Sequence, residues 1–359
     1  MNLIEELQKN PPIRYEHLRY LQESKLPLVL YGAADLARII KNCSSAYWNI
    51  KFDFVVVDKE YWRPNMKFDE FDILTLEDVL TKTSNVNVVL AFVAENNEER
   101  IQELNKTAGV EKCVFLDWLF TRGNFDFILE KSSVFTDLYN CLADDLSRQV
   151  MFEYLRLIYG MSVKDLVKLN VLNEKQYFPD FLSLSENETF VDCGAYDGDT
   201  IRLFLSKVNG KCNKIFAFEP DPSNAKKCGK VLADCGGGAL IEKGAWSEKT
   251  TLNFINASNM CSKINETGNI KIETDSIDNV CGAEKVSFIK MDIEGAELEA
   301  LKGAAKQIME NKPKLAICAY HKQEDLTTIP QYLLSLNPNY KLYLRHYGPL
   351  YSELVLYAI

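Results

Sequence analysis

The chain has only three histidines, His17, His321 and His346, and its ten cysteines include no Cys-x-x-Cys pair. A zinc site of the usual ligand spacing is therefore not expected. Apolar runs of membrane-spanning length are missing, and the N-terminus is polar, with Glu5, Glu6, Lys9 and Asn10. The sequence thus shows no targeting or spanning segment. An excess of positive charge is missing too. With 41 Lys and Arg against 51 Asp and Glu, the net charge of −10 argues against a broad nucleic-acid footprint. Scattered cysteines without a signal peptide fit a reduced, cytoplasmic setting. Repeats and low-complexity tracts are also lacking. What is present is 359 residues, 47% of them hydrophobic, enough for two or three globular domains.

The organisation follows from alternating strand and helix patterns. Residues 1–26 read as a helical lead-in. Leu28–Tyr31, Phe52–Val57, Asn87–Val93 and Lys112–Leu116 read as strands, with helices after Gly32 and over Glu98–Lys106. Such alternation implies a small parallel sheet, giving a first, Rossmann-like α/β domain over 1–118. Residues 119–185 read as a helical connector. Its apolar positions from Leu138 to Ile158 recur at helical spacing, with Gly160 as a helix stop. The third part, 186–359, is a second α/β domain. Its expected strands are Ala239–Ile241, Thr251–Ile255, Val286–Met291 and Lys314–Ala319, and it closes with a hairpin of Tyr340–Arg345 and Ser352–Ala358 around Gly348-Pro349. That hairpin requires an antiparallel strand.

The most informative stretch is ETFVDCGAYDGDT, from Glu188 to Thr200. An apolar run ends in Asp192, small residues turn the chain at Gly194, Ala195 and Gly198, and an apolar-periodic segment follows Thr200. Strand, tight turn and helix in this order let backbone approach a ligand at a helix N-terminus. Asp197 and Asp199 would repel a pyrophosphate, so the turn suits a nucleoside without phosphates, including a cationic one. The next apolar run, Lys214–Phe218, ends in Glu219-Pro220-Asp221. An acid about 20 residues past the turn can accept both ribose hydroxyls. In the first domain, Tyr31-Gly-Ala-Ala-Asp-Leu-Ala37 is a degraded version of such a turn. Ala34 and Ala37 replace its later glycines, and Asp58 ends the second strand. A nucleotide-sugar site, an oligomer contact and a scaffold all remain open for this domain, the last two being favoured.

Two further groups stand at expected strand tips. Asp292, Glu294 and Gly295 follow Val286–Met291, and His321 follows Leu315–Ala319. Ligands of open α/β sheets bind outside the carboxyl ends of strands, and histidine is a natural general base. His321 is expected as the base, with Asp292 as alternative or orienting partner and Glu294 beside them. His346 is a weaker candidate. Glu297 and Glu299 read as solvated residues of the following helix. A divalent metal on Asp292, Glu294 and Asp197 is conceivable on hard-ligand chemistry but is not favoured.

In sequence order, QYFPDFLSLSENETFVDCGAYDGDT from Gln176, FAFEPDP from Phe216, GAW from Gly244, FIKMDIEGAELEALKGA from Phe288, AICAYHK to Lys322 and the closing hairpin resemble the FkbM-type family of methyltransferases. The likeness covers about 174–359. It implies a class I methyltransferase fold, a seven-stranded Rossmann-like sheet with an antiparallel C-terminal hairpin strand. It further implies S-adenosylmethionine as cofactor and O-methylation of a sugar, glycan or related metabolite. By resemblance, Asp192, Gly194, Ala195, Tyr196 and Gly198, with Asp197 and Thr200 in the same turn, line the methionine and ribose side. Glu219 takes the ribose, Pro220 adjoins it, Asp221 and Ala245-Trp246 flank the adenine, and Asp292 faces the methyl group. The expected partners are a small-molecule or glycan acceptor and, through the N-terminal domain, a second copy of the chain. Two other readings remain: an NAD(P)-type oxidoreductase using the N-terminal turn, and a cofactor-binding but silent module of a glycan-assembly complex.

Overall fold

A computed structural model describes residues 3–8, 13–92, 97–116, 126–158, 175–234, 238–255, 263–264, 270–348 and 353–359. Gly160, Pro349 and Ser352 lie outside the described residues. The chain divides into two compact units, Leu3–Lys131 with Leu155–Ser162, and Ser132–Tyr154 with Val163–Ile359.

The first unit is built on β1 (Leu28–Tyr31), β2 (Phe54–Val56), β3 (Lys67–Phe68), β4 (Phe71–Leu74), β5 (Val86–Leu90) and β6 (Val110–Phe115). They form one sheet in the order β3-β4-β2-β1-β5-β6, parallel except for the β3–β4 pair. β1 and β5 are buried on both faces, which is why they are continuous apolar runs rather than alternating ones. The short β3–β4 hairpin lacks such a run, and the sequence pattern gave no strand there.

The second unit adds β7 (Thr189–Cys193), β8 (Lys214–Phe218), β9 (Ala239–Ile241), β10 (Gly244–Ala245), β11 (Thr251–Ile255), β12 (Lys263–Ile264), β13 (Ile270–Asp275), β14 (Phe288–Met291), β15 (Lys314–Cys318), β16 (Leu342–His346) and β17 (Leu354–Ala358). Seven of them make the main sheet, ordered β16-β17-β15-β14-β7-β8-β9, in which β17 alone runs against its neighbours. This is the expected class I methyltransferase sheet with its antiparallel hairpin strand. Its middle is held by aromatic packing: Phe190 on β7 stacks on Phe288 of β14 at 5.0 Å, and Phe178 meets Phe288 edge-on. The strand at Thr251–Ile255 does not join the main sheet. It pairs with β12 and β13 in a second sheet of four, ordered β10-β13-β11-β12.

The helical periodicity around Val134–Tyr159 resolves into two helices, Ser132–Cys141 and Asp145–Ile158. The break has a local cause. Asp144 caps the second helix by accepting from the Ser147 N–H at 2.8 Å, and Arg345 of β16 binds the same carboxylate at 2.6 and 3.2 Å. The Ala143 N–H donates to the carbonyl of Leu342. Burial pushes the Asp144 carboxyl up, but Arg345 and Ser147 outweigh it and hold its pKa at about 2. Among the described residues, no helix is long and apolar enough to cross a membrane.

Candidate active site

The carboxyl ends of β7 and β8 carry the turn. The N–H groups of Gly194 and Ala195 both donate to the carbonyl of Phe218 at 3.0 Å, tying the turn to β8. Gly194 has φ 78°, and a Cβ there would lie 2.0 Å from the carbonyl oxygen of Asp292, so only glycine fits. Gly198, also left-handed, caps the helix Asp199–Lys207, with Ala195 and Thr200 buried beside it. Tyr196 departs from the buried pattern: its φ is 47° and it is 52% exposed.

Glu219 is buried, and its two oxygens accept backbone N–H groups from either side, Tyr196 at 2.8 Å and Asp221 at 2.9 Å. Burial outweighs these donors and pushes its pKa up to about 7. Each oxygen keeps a second lone pair for a ligand hydroxyl. Asp197 is turned aside, paired with Arg202 at 2.9 Å. Asp221 is used as a helix cap, accepting from the N–H groups of Ser223 and Asn224. Pro220 is partly exposed. Ala245 is buried on β10, and the N–H of partly buried Trp246 donates to the carbonyl of Asp275.

Asp192 is fully buried at the end of β7. Lys290, from the middle of β14, reaches it at 3.1 Å and also donates to the carbonyls of Gly194 at 2.9 Å and Cys193 at 3.4 Å. Neither Asp192 oxygen accepts a hydrogen bond of proper geometry, so the ion pair is its main compensation. Burial pushes its pKa up to about 6 against the pull of Lys290. For Lys290, burial works downward, but Asp192 and Asp292 together hold its pKa above the ordinary value.

The second group gathers at the carboxyl ends of β14 and β15. His321 is 7% exposed. Its Nδ1 lies 2.8 Å from Oε1 of Glu297, and its Nε2 lies 3.4 Å from Asp292 Oδ1 and 3.9 Å from Glu294 Oε2. Burial would lower the imidazole pKa, but Glu297, Asp292 and Glu294 outweigh it and lift it to about 9. The other oxygen of Asp292 accepts from the hydroxyl of Tyr177 at 2.9 Å. Burial pushes Asp292 up, but Lys290 and His321 keep it below the usual carboxylate range. Glu353 borders the same group, taking hydrogen bonds from Gln176 and Tyr320. His346 is buried within β16.

One expectation needs correction here. Glu297 is not a solvated helix residue: its side chain is 0% exposed and holds both the Ile293 N–H and His321. Glu299 does face outward, paired with Lys302. The residues that sequence reading passed over are Lys290, Tyr177 and Glu297. A lysine inside the apolar run Phe288–Met291 was a legible signal, because a charge buried in a central strand needs a partner. Nothing in the local pattern marked Tyr177.

Residues 192–348 match the Methyltransferase FkbM domain family. Among solved structures, the methyltransferase FkbM from Methylobacillus flagellatus KT is similar at 23% identity and a TM-score of 0.81, over 97% of this chain and 94% of that one. An rRNA methylase from Streptococcus thermophilus is similar at 17% identity and a TM-score of 0.32, over 49% of this chain and 87% of that one, too little to carry any functional argument. The curated proteins contain no match.

Proposed function

We propose that the domain over residues 192–348, which matches the Methyltransferase FkbM domain family, transfers the methyl group of S-adenosylmethionine to a hydroxyl of a sugar, glycan or related metabolite. The observation that carries the cofactor reading is Glu219. Its carboxylate, positioned by two backbone N–H groups beside the Gly194 turn, suits a ribose diol. A pyrophosphate would find acidic groups there instead of donors, and this disfavours a dinucleotide. At the first unit's own turn, Asp58 is already bound by Arg100 at 2.5 Å and by the Tyr31 hydroxyl at 2.8 Å, which further weakens an oxidoreductase reading.

The chemistry is an in-line displacement at a sulfonium, so alignment supplies much of the rate. The acceptor oxygen attacks the methyl carbon, the O–C bond forms as the C–S bond breaks, and neutral thioether leaves. The hydroxyl proton must go to the protein. With its pKa lifted to about 9, His321 is already protonated at neutral pH. The base role therefore passes to Asp292, with the imidazolium 3.4 Å away holding that carboxylate in place. Polar residues around Asp292, namely Tyr177, Gln176, Tyr320 and Glu353, favour a polyhydroxylated acceptor over an apolar one.

The test is transfer of labelled methyl from the cofactor to a panel of sugars, nucleotide sugars, amines and carboxylic acids. Labelling of a hydroxylated acceptor that is lost in Asp292→Asn supports the reading. Labelling of amines or carboxylates alone would overturn O-methylation.

A further inference from the structure

The cluster around His321 contains a buried nitrogen that no hydrogen bond satisfies. Nε2 of this buried imidazole has no hydrogen-bond partner among the described residues, although Asp292 Oδ1 lies 3.4 Å away and Glu294 Oε2 3.9 Å away. The ring cannot turn to relieve this. Glu297 holds Nδ1 at 2.8 Å and is itself held by the Ile293 N–H at 2.9 Å. A carboxylate accepts, so Nδ1 carries a hydrogen; a bound cation would replace the proton on Nε2, whose lone pair would then point between the two other carboxylates. A carboxylate behind the far ring nitrogen is the arrangement that orients metal-binding histidines.

We infer that Nε2 of His321, Asp292 and Glu294 form a site for one divalent cation, with Glu297 as the positioning residue behind the imidazole.

The distances suit this assignment. Two ligand atoms at about 2.1 Å from a tetrahedral ion lie roughly 3.4 Å apart, the separation found between Nε2 and Asp292 Oδ1. Glu294 would have to approach from 3.9 Å, and its side chain is 33% exposed. Asp292, Glu297 and His321 are also grouped by convergence alone, with ligand atoms within 4.8 Å of one another. The surroundings favour positive charge. Glu353 and buried Asp325 add to Asp292, Glu294 and Glu297, while the lysines acting on these groups are Lys290 and Lys322. One imidazole with two carboxylates suits a borderline ion such as Mn2+ or Zn2+ better than Ca2+, which prefers an all-oxygen shell. The site was not favoured from sequence because paired carboxylates near a sulfonium have another explanation; the orphaned Nε2 is the observation that changes this.

The consequence deepens the methyltransferase reading and rests on it, although the binding itself does not. An open coordination position beside the transfer site would take the acceptor hydroxyl and lower its pKa. The proton would then leave to solvent, and no histidine base is needed.

The experiment is a titration of the full-length, chelator-stripped protein with Mn2+, followed by electron paramagnetic resonance, with Zn2+ competition and Ca2+ as control. S-adenosylmethionine binding is measured in parallel. One equivalent of Mn2+, displaced by Zn2+ and weakened at least tenfold in both Glu294→Gln and His321→Gln, is expected. Absence of stoichiometric Mn2+ and Zn2+ binding, or binding unchanged in both variants, overturns the site. If the cofactor binds while the metals do not, the metal site alone falls. If the metals bind while the cofactor does not, the methyltransferase reading falls and the site stands.

Discussion

Replacing Lys290 with methionine removes the cation that, among the described residues, compensates the fully buried Asp192 carboxylate. Methionine keeps most of the side-chain volume, so the change is chiefly electrostatic. Asp192 would lose its 3.1 Å partner while its oxygens have no proper hydrogen bond to fall back on, and the carbonyl of Gly194 would lose its 2.9 Å donor. Breaking one side of a buried pair costs about 3–5 kcal/mol, a large part of the ~5–15 kcal/mol that stabilises an ordinary domain. With a urea slope of about 2 kcal/mol per molar, the midpoint should fall by roughly 2 M. The loss should be smaller at pH 5 than at pH 8, because the Asp192 carboxyl, already raised to about 6, is protonated there. Adding Asp192→Asn should restore more than half of the loss at pH 8. Urea unfolding of the wild type and the two variants, followed by circular dichroism at both pH values, reads all three effects. A loss below about 1 kcal/mol at pH 8, or an equal loss at pH 5, would refute the claim that Lys290 neutralises Asp192.

Thermal stability of the unliganded protein should be greatest near pH 5. The folded carboxyls of Asp192, Glu219 and Asp325 are raised to about 6, 7 and 7, against about 4 when unfolded. The folded state therefore holds protons that the unfolded state releases, and stability falls as pH rises through that window. His321, raised to about 9, adds a loss between about 6.5 and 9, while the depressed Asp144, Glu188 and Asp292 remove stability below pH 4. A higher Tm at pH 8.5 than at pH 5.5 in calorimetry would contradict this. Gly194→Ala places a methyl 2.0 Å from the Asp292 carbonyl at φ 78° and should weaken cofactor binding at least tenfold, whereas binding within twofold of wild type would show that the turn does not contact the ligand. His321→Ala removes the imidazolium that holds the Asp292 base in place and should lower kcat by up to about 100-fold while leaving cofactor affinity within about threefold; equal losses in both would make His321 a cofactor-binding or merely structural residue.

The sequence displayed the frame of the second unit because its central strands are buried on both faces, so Thr189–Cys193, Lys214–Phe218 and Lys314–Cys318 stand out as apolar runs. Gly194 and Glu219 were legible for the same reason: each ends such a run where small or acidic residues have no packing purpose. Of the four-stranded side sheet only Thr251–Ile255 was legible: β10 and β12 are two residues each, and β13 forms no continuous apolar run. Glu297 was misread because a glutamate in the first turn of a helix ordinarily faces solvent. Only the fold shows that His321, distant in sequence, comes to meet it. The paired roles of Lys290 with Asp192 and of Tyr177 with Asp292 depend on neighbours 98 and 115 positions away, joined by the β7–β14 register and by tertiary contact, which no local spacing encodes.

The most direct test of the central claim is calorimetric titration with S-adenosylmethionine, using NAD as control and Glu219→Ala as the test of the pocket. Micromolar affinity for S-adenosylmethionine, weakened at least tenfold in the variant and with no heat from NAD, is predicted. Absence of binding, binding of NAD instead, or affinity unchanged in Glu219→Ala would contradict the account.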